Sequence, residues 1–331
     1  MRDVATAAGV SLGTVSNVLN APEKVASTTV ERVHAAIDEL GFVRNDAARQ
    51  LRAGRSRSVG LVVLDIGNPF FTDIAHAATG RAREHDLTVL LGTSGDDPRI
   101  ERAFIDAFDE QRVHGLLLSP VGELPERLHR LRRRGTPVVL VDRDGRGTPF
   151  HSVAVDDVAG ATLAVAHLCD VGRRAIAFVG GPSGLRQVRD RRQGAEEVVG
   201  RHPGARLEVI ETPALSVLAG RAVGDALLRR PPATRPDAVF CANDLLAIGL
   251  LQALTMTGDL RVPDDIALIG YDDIEFASST VVPLSSVRQP TGAIGSAAVD
   301  LLVETRADVD AEEPTHVLFT PELVARRSTT G

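Results

Sequence analysis

Residues 1–20 read MRDVATAAGVSLGTVSNVLN. Val4 and Ala8 recur at helical spacing, and Gly9 interrupts the pattern with the backbone freedom that a tight turn needs. Ser11 is placed to cap a second helix that carries Val15, Val18 and Leu19 on one face. Ala5 stands where two crossing helices must approach closely, and Val15 fills the angle between them. Two short helices around a glycine turn, at this spacing, predict a helix-turn-helix unit rather than an ordinary helical hairpin.

Working outward, residues 21–26 form a loop around Pro22. A third helix is predicted from Ser27, as its cap, to Gly41, with Val30, Val33, Ile37 and Leu40 on one stripe. Three helices in so short a stretch bury little surface and are marginal alone. Residues 45–54, NDAARQLRAG, have helix-forming composition but too few apolar groups for a core, so a solvated linker helix is one reading. From Ser58 the rhythm changes. Apolar runs SVGLVVL, LTVLLG, HGLLLSP and TPVVLVD alternate with amphipathic stretches near 71–86, 98–112 and 123–134. The alternation repeats in HSVAV, AIAFVGG, RLEVIE, DAVFCAND and IALIGYDD, with helices near 157–170, 187–200, 214–230 and 243–257. This pattern predicts an α/β body of two doubly wound parallel-sheet lobes, with any ligand in the crevice at the strand carboxyl ends. The last strands are expected near 315–319 and 322–326.

Composition narrows the function. At 331 residues, 44% hydrophobic and 24% charged, the chain has length for two or three domains and an ordinary core. The net charge of −7 argues against a protein that coats nucleic acid. Residues 1–57, however, carry eight Lys or Arg against six Asp or Glu, and 44–57 carry five arginines against Asp46 alone. A locally basic segment on an acidic body suits site-specific contact with a polyanion. Lys24 is the sole lysine. Cys169 and Cys241 lie far apart without a C-x-x-C pair and read as buried thiols of a reducing compartment. Neither a signal segment nor a membrane-spanning run is evident, so a cytoplasmic protein is expected.

Six stretches carry a resemblance: DVATAAGVSLGTVSNVLN (3–20), ERVHAAIDELGF (31–42), NDAARQLR (45–52), VGLVVLDIGNPFF (59–71), CANDLLAIG (241–249) and IALIGYDDI (266–274). In order and spacing they resemble the lactose-repressor (LacI) family of bacterial transcription regulators, from Arg2 to about Arg327. The resemblance implies a three-helix head at 1–45, a hinge helix and linker at 46–57, and an effector-binding body at 58–331. The body would have the type I periplasmic-binding-protein fold, with one lobe at about 58–157 and 288–317 and the other at about 158–287 and 318–331. It further implies a homodimer on double-stranded operator DNA, each head on one half-site, controlled by a small effector: a sugar, a sugar derivative, or a nucleobase or nucleoside. No cofactor, metal or catalysis is implied, and no membrane.

By family position Leu12, Gly13 and Asn17 are the principal base readers, and Thr14 and Ser16 suit phosphates. Asn17 departs from the usual arginine. It cannot make the arginine–guanine fork but can pair with adenine, and Gly13 has nothing with which to read a base. In the hinge, Leu51 matches the leucine that wedges a base step in the minor groove, and Ala47 and Ala48 are small enough for two hinge helices to pack. The sequence begins at the first helix, without the short arm usual in the family: either the arm is dispensable or the true start lies upstream.

The same matching places Phe70, Phe71, Ser119, Asp142, Arg143, Arg191, Phe240, Asn243, Asp272 and Gln289 around the effector. Each has a plainer alternative. Asn68 and Asn243 could cap helices, one of Phe70 and Phe71 could be core, and Asp272–Asp273 could be turn acids. Most of RQVRDRR (186–192) should be a solvated face; Arg186 and Gln187 align poorly. His76, His114, His167 and His202 lack metal-ligand spacing and read as structural. Two other classes compete. A transporter's solute-binding component shares the lobes but needs an export signal and lacks a head. An enzyme on this fold would need a phosphate-cradling G-x-G-x-x-G after the first strand, where DIGNPFF stands, or a G-x-S-x-G elbow.

Overall fold

The computed structural model describes residues 1–42, 56–256, 260–305 and 313–330. The chain divides into two compact units, 1–56 and 57–331.

In the first unit, α1 (Arg2–Ala7), α2 (Leu12–Asn20) and α3 (Ser27–Glu39) close on a core of Val4, Ala5, Ala8, Val15, Val18, Val33 and Ala36. Gly9 takes a φ of +63°, and the Ser11 hydroxyl caps α2 by accepting the Thr14 N–H at 3.0 Å. Arg32 of α3 donates to the Ala8 carbonyl at the end of α1, at 3.0 Å, and so ties the third helix to the turn. Two details differ from the sequence reading. Ser27 is the first residue of α3 rather than its cap, and the Ala26 position has no side-chain cap. Leu40 is exposed, because α3 ends at Glu39 and Gly41, at φ +55°, turns the chain so that Phe42 covers the core in its place.

The second unit holds two six-stranded sheets. The strands of the first are β1 (Ser58–Val63), β2 (Thr88–Thr93), β3 (Gly115–Leu118), β4 (Val138–Val141), β5 (His151–Val155) and β11 (His316–Phe319). Their order is β11-β5-β4-β3-β1-β2, all parallel. The second sheet contains β6 (Ala175–Gly180), β7 (Arg206–Glu211), β8 (Ala238–Cys241), β9 (Ala267–Asp272), β10 (Ser285–Arg288) and β12 (Glu322–Val324). Its order is β12-β10-β9-β8-β6-β7, with β12 antiparallel to β10. The inner strands are almost unbroken apolar runs because helices bury both faces.

The first lobe carries α4 (Pro69–Glu84), α5 (Pro98–Glu110), α6 (Glu126–Arg133) and α11 (Thr291–Glu304). The second carries α7 (Asp157–Asp170), α8 (Arg186–Arg201), α9 (Val217–Arg229) and α10 (Asp244–Met256), and the chain closes with α12 (Arg327–Thr330). Strand β10 and helix α11 had no clear signal: SSVR is short and half serine. Cys169 and Cys241 are both buried free thiols. Among the described residues no helix is long and apolar enough to cross a membrane.

Candidate functional site

On the head, α2 is amphipathic. Val15 and Val18 face the core, and Leu12, Gly13, Asn17 and Asn20 face outward. The Ser11 and Thr14 hydroxyls share a 2.9 Å hydrogen bond, and the Asn20 amide donates to the Ser16 carbonyl at 2.9 Å. Ala47, Ala48 and Leu51 lie outside the described residues.

In the body, the polar residues gather where the carboxyl ends of the strands of the two lobes meet. Their centre is Arg191, on the buried side of α8. Its Nε donates to Asp157 Oδ1 at 2.7 Å, its Nη1 donates to the Ala242 carbonyl at 2.6 Å and lies 3.7 Å from Asp272 Oδ1, and the guanidinium sits 3.6 Å above the Tyr271 ring. Burial opposes this charge, yet Asp157, Tyr271, Asp272 and Asp142 hold the arginine's pKa above its ordinary value. Asp272, at the end of β9, accepts from Gln289 Nε2 at 2.8 Å and from Asn68 Nδ2 at 3.2 Å. Asp142, just past β4, accepts from Gln187 Nε2 at 2.7 Å. The Asn68 and Gln187 bonds each join one lobe to the other.

Burial dominates the titration of these acids. It pushes Asp142 up to about 8, helped by Asp157, and Asp272 up to about 6 against the pull of Arg191, Asn68 and Gln289. Asp142 and Asp272 also hold φ values of +57° and +103°, in the left-handed region that residues with a side chain rarely adopt. The Ser119 Oγ and Gln289 Oε1 atoms are buried without a protein partner. Such an array of donors and acceptors can hold a small polar molecule by several charge-assisted hydrogen bonds.

The other expected residues separate. Arg143 is buried, donates to the Gly122 carbonyl at 3.2 Å and has its pKa lowered, by burial and then by Arg186. Phe70 and Phe71 pack edge to face in the core of the first lobe. Phe240 is fully buried in the second sheet, between Phe178 and Tyr271. Asn243 caps α10, its Oδ1 accepting the Leu246 N–H at 3.0 Å while its amide donates to the Leu215 carbonyl. Asp273 is held by Arg288 and Arg326, apart from the cluster. Sequence reasoning undervalued Gln187, which stands one helical turn before Arg191 on the same face. It passed over Asp157 and Tyr271 altogether; the chain's one tyrosine, in the GYDD turn, was the available signal.

A helix-turn-helix head and a two-lobed body with a polar cleft, in one chain, define a ligand-controlled DNA-binding regulator. The comparisons agree. Residues 1–45 match the bacterial regulatory proteins of the lacI family, and 165–329 match the periplasmic binding protein-like domain. The transcriptional repressor PurR of Aliivibrio fischeri is 32% identical over 99% of this chain and 97% of its own length. The ribose operon repressor of Escherichia coli K12 is 33% identical over 99% of each. The structure of the lac repressor dimer bound to operator and the anti-inducer ONPF superposes with a TM-score of 0.83, at 28% identity over 99% of this chain and 98% of that one. The chain belongs to the LacI family of transcriptional regulators and is not an enzyme.

Proposed function

We propose that this regulator is a cytoplasmic repressor of a carbohydrate-utilisation operon, acting as a homodimer whose heads each hold one operator half-site. Its effector is a neutral polyhydroxylated sugar or sugar derivative, bound between the lobes. The observation that carries this reading is the alternation of acceptors and donors around Arg191: Asp142, Asp157 and Asp272 against Asn68, Gln187 and Gln289. Hydroxyl groups both donate and accept, so a ring of vicinal hydroxyls can replace these protein–protein hydrogen bonds one for one. A purine needs a flat aromatic slot instead. Here Tyr271 is covered by Arg191, Phe240 is enclosed, and Phe70 and Phe71 pack against each other.

Ser119, whose hydroxyl is buried without a protein partner, completes the effector site in this reading, and Leu51, with Ala47 and Ala48, forms the DNA-dependent hinge. The ligand changes DNA affinity only through unequal binding to two lobe arrangements. The test is gel retardation with DNA flanking the gene, against a panel of sugars and nucleobases. A sugar should alter operator affinity, and Asp272→Asn should abolish that response while leaving sugar-free operator affinity unchanged. Leu51→Ala should do the reverse, weakening operator binding with effector affinity intact. A response confined to nucleobases, or an Asp272→Asn protein that still responds fully, overturns the assignment.

A further inference from the structure

We infer that the second lobe carries another ligand site, a groove between β7 and α9 that takes a small neutral molecule with an apolar body and one hydroxyl group. The groove shares no residue with the cluster around Arg191, and the inference does not depend on the effector assigned there.

Side chains alternate along a strand, so Glu208, Ile210 and Thr212 stand on one face of the β7 segment. Helix α9 lies against that face. Arg230, just past its end, donates to both carboxylate oxygens of Glu208 at 2.8 Å and closes one end of the contact. Along the rest of it, α9 presents Ala222 and Ala226, where longer side chains would fill the gap. A groove of about 250 Å³ is left, lined also by Ile210, Val223 and Leu227. An apolar cavity of about 150 Å³ accepts benzene, so this one has room for a ring with a short chain.

Thr212 lines the same groove. It is only 3% exposed, yet its Oγ1 has no hydrogen-bond partner among the described residues. Its backbone N–H is spent on the Gly180 carbonyl at 3.2 Å, so the hydroxyl is the polar group left over. A buried hydroxyl without a partner is costly, and the alanines around it cannot relieve that cost. The charges nearby are already used. Arg230, the one cation among the described lining residues, is held by Glu208, and Glu211 accepts the Ser183 N–H at 3.2 Å. A carboxylate head would find no free cation, and any charged head would lose its water among alanine and leucine side chains. An uncharged hydroxyl fits, because it can donate to Thr212 Oγ1 or accept from it.

The test titrates 4-ethylphenol and ethylbenzene into the full-length protein by equilibrium dialysis. 4-Ethylphenol should bind at one site per chain. Ala226→Leu fills the groove from an exposed position that spares folding, and it should abolish binding of both probes. Thr212→Val keeps the shape and removes the hydroxyl. It should cut the preference for 4-ethylphenol over ethylbenzene about fivefold, the worth of one hydrogen bond, and Thr212→Ser should keep that preference. The ligand-free Thr212→Val protein should melt at or above the wild-type temperature, because an unpaired buried hydroxyl has gone. A lower melting temperature would mean that the hydroxyl is already bonded within the protein, and it overturns the inference. So does binding that survives Ala226→Leu, a preference unchanged by Thr212→Val, or a wild type that binds neither probe.

Discussion

The reading face of α2 and the cleft around Arg191 solve opposite problems with similar residue types. On α2 the outward groups are exposed and Asn17 is left unengaged, so in the proposed reading no internal contact has to break for the head to meet DNA. In the cleft the groups are buried and spent on one another, including the Asn68–Asp272 and Gln187–Asp142 bonds that join the lobes. A ligand there must take over contacts that already hold the lobes together. The difference teaches why one site can be a fixed reader and the other a switch: only the second couples binding to the arrangement of the protein.

The sharpest way to break the contrast is Arg191→Met. It strands Asp157 and Asp272 in a buried site, and the loss of one partner from a buried ion pair costs about 3–5 kcal/mol. Denaturant unfolding of the body should show this loss, whereas equal stability of wild type and variant would mean that the cluster carries no buried charge.

A second effect comes from protons. Asp142 has its folded-state pKa raised to about 8, so between the unfolded value near 3.8 and that value the folded body holds a proton that the unfolded chain releases. Stability from this group is fully present below pH 3.8 and is lost as pH rises through about 8. Asp142→Asn should flatten the fall in melting temperature over that window. An unchanged slope would assign the pH dependence to other groups.

The head should respond more weakly still. Ser11→Ala removes the cap on α2 and should lower the head's stability by about 1 kcal/mol, read as faster proteolysis of residues 1–42 in the intact protein, with the body's melting unaffected. Gly13→Ala should change least. The space is open and the backbone helical, so it should stabilise α2 by roughly 0.4–1 kcal/mol. A destabilised Gly13→Ala protein would show that the reading face is packed rather than free, and would erase the contrast with the cleft.

Much was legible in residue order. The turn at Gly9, the Ser11 cap and the Val15–Val18 face of α2 are local, set by backbone sterics and by spacing along one helix. The apolar runs of the two sheets were equally readable, because strands buried on both faces leave a continuous signature. Strand β10 and helix α11 escaped: their place comes from pairing with β9 and packing against α4, not from their own pattern. Leu40 was assigned to the core by periodicity, but the turn at Gly41 delivered Phe42 there instead.

The residue sequence by itself determined the head, the alternation of strands and helices, and the family to which the chain belongs, since each rests on short-range spacing. Tertiary structure alone decided which polar residues form the cleft. Asn68 and Asp272 are 204 positions apart, and Gln187 finds Asp142 across 45. Asn68 and Asn243 both cap helices, and nothing in the local chemistry of asparagine shows that only the first also ties two lobes. That distinction is made by which strand ends face each other once both sheets have closed, and by the burial that follows.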